Sequence, residues 1–202
     1  ISIQENYPEA HYNLGLIYTK NGQKLSAIKS YGRVVKYQKN AKAYYNIGLL
    51  YSQINERKKA ILNYEKALKV KANYLDALYN LGLLYLKEKS RKPQRAHELF
   101  KRILALESSN YKAKFGLAQS LIQLKKPTLG QKKYEEILAN KPGYNEARFN
   151  LISSYYNSKN YKKALLHIRK FHLLDSSNIK TQMILLKVSQ KINDPLLFKT
   201  TL

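Results

Sequence analysis

A heptapeptide that keeps returning along the chain constrains its fold more than any other feature. Tyr12-Asn-Leu-Gly-Leu-Ile-Tyr18, Tyr45-Asn-Ile-Gly-Leu-Leu-Tyr51 and Tyr79-Asn-Leu-Gly-Leu-Leu-Tyr85 are nearly the same string. Phe115-Gly-Leu-Ala-Gln-Ser-Leu121 and Phe149-Asn-Leu-Ile-Ser-Ser-Tyr155 are weaker copies. Aligned on these, repeats begin at Pro8, Ala41, Leu75, Tyr111, Asn145 and Ile179, with spacings of 33, 34, 36, 34 and 34 residues. A period of this length marks a stack of supersecondary units rather than one closed core. The longer third repeat carries two extra residues around residues 90–93, where a loop between helices can absorb them.

Each unit reads as two amphipathic helices. In the second, Ile47, Gly48 and Tyr51 share one helical face, and Ala60, Tyr64 and Ala67 recur at i, i+4, i+7 on the next. The polar turn Asn55-Glu56-Arg57 separates them. Gly48 and Ala60 are small enough for two backbones to approach closely, and Tyr51 and Tyr64 fill the space beside them. A lone hairpin cannot bury its apolar face, so at least three must stack.

This pattern resembles the tetratricopeptide repeat family from residue 8 to residue 178. The family's Leu-Gly-x-x-Tyr signature corresponds to Leu14-Gly15…Tyr18, Ile47-Gly48…Tyr51 and Leu81-Gly82…Tyr85. Its second-helix signature corresponds to Ala60…Tyr64…Ala67, Ala27…Tyr31…Val34, Ala96…Phe100…Ile103 and Ala164…Ile168…Phe171. The helix-ending proline is kept only at Pro142, and the fourth repeat departs most, with Ala118, Leu121 and Gly130 at signature positions. Gly130 inside a helix costs about 1 kcal/mol relative to alanine, which predicts a locally loose repeat.

The resemblance implies an all-α, right-handed superhelical solenoid of about five helix-turn-helix repeats (8–40, 41–74, 75–110, 111–144 and 145–178) plus a C-terminal helix. Residues 1–7 match the tail of a preceding repeat, and residues 179–202 read as a capping helix or partial sixth repeat with a tail. Both ends are therefore expected to be cuts in a longer protein. A cut array exposes apolar surface such as Ile1 and Ile3, so a homodimer through an open repeat end is a further expectation.

Composition narrows function. A hydrophobic content of 44% belongs to a folded chain. No apolar run approaches the ~20 residues needed to span a bilayer, and residues 1–10 carry no basic, apolar, small-residue leader. Cysteine is absent, which excludes disulfides, thiolate metal sites and a cysteine nucleophile but leaves the compartment open, cytoplasmic or exported. His167 and His172 are five apart, off the i, i+4 spacing that puts two metal ligands on one helical face. Neither a phosphate-binding glycine string nor a catalytic motif is present, so neither catalytic residues nor a metal or cofactor are expected.

The formal net charge of +24 points to anionic partners. Lysine outnumbers arginine about four to one, and asparagine, isoleucine and tyrosine are also abundant. An AT-rich coding sequence produces the same balance without selection for binding, so both origins stand.

The family resemblance also implies a concave groove lined by first helices, at positions two, five, six, nine, twelve and thirteen of each repeat. Position six holds Asn13, Asn46, Asn80 and Asn150, with Gly116 interrupting. An asparagine amide both donates and accepts, so one per repeat can hold an extended peptide by its backbone. The alternative is that these amides hydrogen-bond across neighbouring helices or are simply solvated. Tyr12, Tyr45, Tyr79, Phe115 and Phe149 precede them as groove or packing residues, and Lys42 and Lys112 add charge. The family's carboxylate clamp is not matched, because Tyr12, Leu16, Asn46, Asp76 and Asn80 occupy its positions. The expected function is a non-enzymatic scaffold holding a peptide or helix of a partner protein. The competing reading is RNA or anionic-surface binding through an outer face bearing Lys58, Lys59, Lys66, Lys69, Lys71, Lys162 and Lys163.

Overall fold

The computed structural model describes residues 7–87 and 92–172, together with Met183, Lys187, Val188, Gln190 and Lys191. Residues 90 and 91 of the insertion, Ile1 and Ile3, and most of the expected terminal helix lie outside these residues. The chain divides into two compact units, Ile1–Ser108 and Ser109–Leu202. The first unit holds α1 (Pro8–Lys20), α2 (Lys24–Tyr37), α3 (Ala41–Gln53), α4 (Arg57–Val70), α5 (Leu75–Leu86) and α6 (Pro93–Leu106). The second holds α7 (Tyr111–Gln123), α8 (Pro127–Asn140), α9 (Asn145–Asn157) and α10 (Tyr161–His172). Among the described residues there is no strand. The fold class is an all-α helical solenoid. Consecutive helices pair into hairpins, and within a unit each hairpin packs on the next through α2 on α3, α4 on α5, and α8 on α9.

Local chemistry sets the helix ends. Pro8, Pro93 and Pro127 stand in the opening turn of α1, α6 and α8, where an amide hydrogen would have no partner inside the helix. Asn40 and Asn110 cap α3 and α7, each side-chain oxygen accepting the amide of Ala43 or Ala113 at 2.9 Å. The turn inside the first, second, fourth and fifth hairpins follows one design. Its fifteenth residue is left-handed at Gly22, Asn55, Lys125 and Lys159, with φ of 73°, 62°, 58° and 59°. The next amide then reaches back to the first helix: Gln23 to Tyr18, Glu56 to Tyr51, Lys126 to Leu121 and Asn160 to Tyr155, each at 2.9 Å. In the third hairpin Lys92 donates to the Tyr85 carbonyl at 2.9 Å, so the same closure is made across the longer connection.

The hairpins close on a contact between a small residue and a ring. A Cβ built on Gly15 would lie 2.6 Å from the Tyr31 ring; on Gly48 or Gly82 it would lie 2.8 Å from the rings of Tyr64 or Phe100. These rings are almost wholly buried, beside Ala27, Ala60 and Ala96 of the same second helices. The second unit solves the same problem with other residues. In the fourth hairpin the small pair is exchanged, with Ala118 on the first helix and Gly130 on the second. A Cβ on Gly130 would meet Ile122 Cδ1 at 2.7 Å and the Ala118 carbonyl oxygen at 2.9 Å. Gly130 is therefore a point of close packing, where its low helix propensity is exchanged for approach of α7 and α8. In the fifth hairpin the eighth position widens to Ile152 while the facing ring position shrinks to Ile168, both fully buried. The core of this unit runs from Ala118 and Tyr134 through Leu151 and Tyr155 to Val188.

Polar links at the seams register neighbouring hairpins. Tyr85 donates to Glu65 Oε1 at 2.8 Å and Tyr155 to Glu135 Oε1 at 2.6 Å, the same pair of repeat positions in each unit. Gln131 Nε2 donates to Ser154 Oγ at 3.1 Å, joining α8 to α9.

Gly48→Ala is expected to destabilise the protein by about 1–3 kcal/mol, because the new methyl is forced against Tyr64. Gly32→Ala in α2 has nothing within 4 Å of its Cβ and is expected to stabilise by about 0.5–1 kcal/mol through helix propensity. Urea unfolding followed by far-ultraviolet circular dichroism checks both, and equal effects at the two sites would refute the packing assignment.

Candidate peptide-binding face

In the first unit, Asn13, Asn46 and Asn80 lie on α1, α3 and α5, Asn13 exposed and the other two half-buried. The amides are tied to the neighbouring hairpin. Asn46 Nδ2 donates to the Tyr12 hydroxyl at 3.4 Å, and Asn80 Nδ2 donates to the Tyr45 hydroxyl at 3.3 Å. Asn80 Nδ2 also donates to the Asp76 carbonyl at 2.9 Å, which engages both of its hydrogens. Of the two sequence alternatives, bonds across neighbouring helices are therefore made at these two residues. They use the donor side of the amide. No described residue donates to Asn46 Oδ1 or Asn80 Oδ1.

The tyrosines before these asparagines are packing residues as well as hydrogen-bond partners. Tyr12 meets Tyr31 edge-on at 5.4 Å, Tyr45 lies 5.8 Å from Tyr64 and 5.0 Å from Tyr74, and Tyr79 meets Phe100 at 6.0 Å. Burial is the main cause that raises the hydroxyl pKa of Tyr45, with the Asp76 carboxylate adding to it. Burial, then Asp76 and Tyr45, push Tyr74 up to about 12. Tyr45 therefore stays protonated near neutral pH, and its hydroxyl accepts from Asn80 with its own hydrogen left to donate. Tyr12, Asn13 and Lys42 come together with Glu9, Gln38 and Asn40 in a cleft of about 330 Å³.

The second unit uses the equivalent positions differently. Asn150 Nδ2 donates to the Glu146 carbonyl of its own helix at 2.8 Å. The preceding aromatic is Phe115, which has no hydroxyl to offer and packs 5.5 Å from both Tyr134 and Tyr144. Gly116 is buried in α7, Phe149 is half-buried, and Lys112 is exposed. The expected row is thus a hydrogen-bonded series in the first unit and a single self-satisfied asparagine in the second.

Sequence reading passed over two features. Leu16, Leu49 and Leu83 follow Asn13, Asn46 and Asn80 by three residues, on the same helical face, and Leu16 is 46% exposed. The second unit has Gln119 and Ser153 there. The signal was an unbroken leucine at position nine of the first three repeats. The other is a buried cation on α9: Arg148 Nη2 donates to the Pro142 carbonyl at 2.6 Å, and burial lowers its pKa. The nearby His167 stacks 5.8 Å from Tyr155 and has its pKa lowered by burial and then by Arg148. Nothing in the local sequence separates this arginine from the surface lysines. No described group of three or more His, Asp or Glu side chains could hold a metal ion. No described helix is long and apolar enough to cross a membrane.

Tyr12→Phe with Tyr45→Phe keeps the rings and removes both hydroxyls. The double variant is expected to lose about 1 kcal/mol in total, since neutral hydrogen bonds contribute about 0.5–1.5 kcal/mol each and these two are long. Tyr85→Phe, which removes a short bond to a carboxylate, is expected to cost about 1.5–3 kcal/mol. Thermal and urea melts of the three proteins check this order; a double-variant loss as large as that of Tyr85→Phe would contradict it.

Comparison with known proteins identifies the fold. One tetratricopeptide repeat profile matches residues 8–40 and 41–74, and a second matches residues 86–130 and 118–171. No curated protein sequence matches the chain. Among solved structures it is similar to YrrB, described as a TPR protein with an unusual peptide-binding site. The TM-score is 0.77 at 21% identity, over 88% of this chain and 91% of that one. It is similar also to MamA from Desulfovibrio magneticus RS-1, with TM-score 0.77 and 16% identity over 85% and 97% of the two chains. Pseudomonas aeruginosa pilF gives 0.74 and 17% over 96% and 88%. At these identities the likeness is one of fold. With both profiles and the helical-hairpin fold in agreement, the chain belongs to the tetratricopeptide repeat family.

Proposed function

We propose that this chain is a non-catalytic scaffold that holds an extended segment of a partner protein along the first-helix face of its first unit. The observation that carries the reading is the set of pre-oriented asparagines. Asn46 and Asn80 have their Nδ2 groups anchored to Tyr12 and Tyr45, which leaves each Oδ1 to accept a hydrogen bond from a passing backbone N–H. Anchoring removes part of the ordering cost that a free side chain would impose on binding. At Asn80 both donor hydrogens are engaged, so this residue acts as an acceptor alone. Beside the oxygens, the row of Leu16, Leu49 and Leu83 offers apolar contact to alternate side chains of the same segment. Family membership supports the scaffold reading at the coarse level, and YrrB supplies a relative in fold whose description includes peptide binding.

Asn46→Ala with Asn80→Ala is expected to weaken the partner by about 1–3 kcal/mol, the sum of two lost hydrogen bonds. A nuclease-treated pull-down from the source lysate, comparing wild type with this variant and with Tyr12→Phe/Tyr45→Phe, provides the test. A discrete protein retained by wild type and lost from the asparagine variant, with helical content unchanged, supports the reading. If material is retained only when nuclease is omitted, the lysine-rich exterior becomes the active surface and the scaffold reading fails.

A further inference from the structure

A cleft in the second unit joins cations and aromatic rings. It has a volume of about 530 Å³ and lies between the first turn of α7 and the α8–α9 connection, with Tyr111, Lys112, Lys141 and Tyr144 among its walls. Lys141 Nζ stands 4.9 Å and Lys114 Nζ 5.4 Å from the centre of the Tyr111 ring. A cation over an exposed ring gains about 0.5–1 kcal/mol, enough to bias where these flexible chains rest. No described carboxylate pairs with Lys112, Lys114 or Lys141, whereas Lys133 on the neighbouring helix is neutralised by Glu136 at 2.7 Å. The positive end of the α7 dipole opens at the same place. The far wall is held from behind, since Arg148 is 5% exposed and binds the Pro142 carbonyl.

The repeat pattern alone does not produce this cleft. The position of Tyr111 is occupied by Pro8, Ala41, Leu75 and Asn145 in the other repeats, and Pro142-Gly143 is matched by Ala72-Asn73 after the second. Lys112 belongs to the second position of its helix, where the other repeats carry Glu9, Lys42, Asp76 and Glu146. Within this unit the next such position is Glu146, which opposes a continuous polyphosphate, since that gains from a cation at every phosphate. It favours one isolated anionic group on an otherwise mixed segment.

We propose that this cleft binds a single anionic side chain, carboxylate or phosphoryl, of a protein segment lying along α7. The inference deepens the scaffold reading and rests on it. Lys112 and Lys141 take the anionic oxygens, and Tyr111 and Tyr144 cover the aliphatic part of the side chain. Arg148 is a positioning residue for the Pro142–Gly143 wall.

The test is fluorescence anisotropy of the full chain with three labelled probes: a Gly/Ser peptide bearing one glutamate, the same peptide bearing one phosphoserine, and a twelve-nucleotide oligouridine. One of the two peptides is expected to bind, and which one binds tighter assigns the group as carboxylate or phosphoryl. Lys112→Gln with Lys141→Gln is expected to weaken that peptide five- to tenfold. Lys58→Gln with Lys162→Gln, an equal loss of charge on exposed helix positions, is expected to change it less than twofold. All four lysines are exposed, and circular dichroism confirms that the variants fold. Equal weakening by the two pairs would assign the binding to the net charge of the chain and overturn the proposal. Oligouridine binding tenfold tighter than either peptide, and lost with Lys112 and Lys141, would overturn it in favour of nucleic acid. The probes need no lysate partner, so failure here is distinguishable from failure of the pull-down.

Discussion

Everything in this fold depends on how closely two helices of one hairpin can approach. Gly15, Gly48 and Gly82 have no Cβ, and the rings of Tyr31, Tyr64 and Phe100 occupy the volume a methyl would need. Such a contact buries a large ring at the centre of the hairpin, where it contributes about 1.5–3 kcal/mol through area alone. The second unit shows that the constraint is volume rather than residue type. The two small residues exchange helices at Ala118 and Gly130, and two isoleucines replace glycine and ring at Ile152 and Ile168. In each case buried side chains fill the space between the helices, as close-packed interiors require.

Once the hairpins are fixed, other tyrosines join one hairpin to the next. Tyr45 packs against Tyr64 and Tyr74 by its ring and receives Asn80 by its hydroxyl. Tyr85 and Tyr155 fill core space and bind Glu65 and Glu135. An aromatic with a polar tip suits the seam between hairpins, which is apolar at its centre and wet at its edge. The chain has 18 tyrosines and no tryptophan, and this dual use accounts for many of them. Several also carry a cation on their face: Lys59 over Tyr51, Lys66 over Tyr44, Lys163 over Tyr155. With 13 acidic side chains against 37 basic ones, ring faces give lysines a local partner that carboxylates are too few to supply. Part of the lysine surplus is thereby tied to the fold, and the cleft at Tyr111 differs in that its cations surround an open space.

The repeat class and the hairpin packing were legible in the sequence because both are nearly one-dimensional. The contacts that define a hairpin lie within one period, so the spacing of Gly48, Ala60 and Tyr64 already encodes which atoms must meet. The asparagine row was legible as a row, since position six returns with the period. Which side of each amide is occupied was not, because Asn46 and Asn80 bond to hydroxyls one repeat away and the rotation of each hairpin on the last decides whether they reach. The same holds for the cleft. Tyr111 and Lys141 stand at opposite ends of one hairpin, and only the packing of α7, α8 and α9 brings them to a common rim. Sequence by itself determined the all-α repeat class and its register, because those follow from local volume and period. Tertiary structure decided which polar groups remain open to a partner, because that depends on distances between side chains from different helices, which no local pattern records.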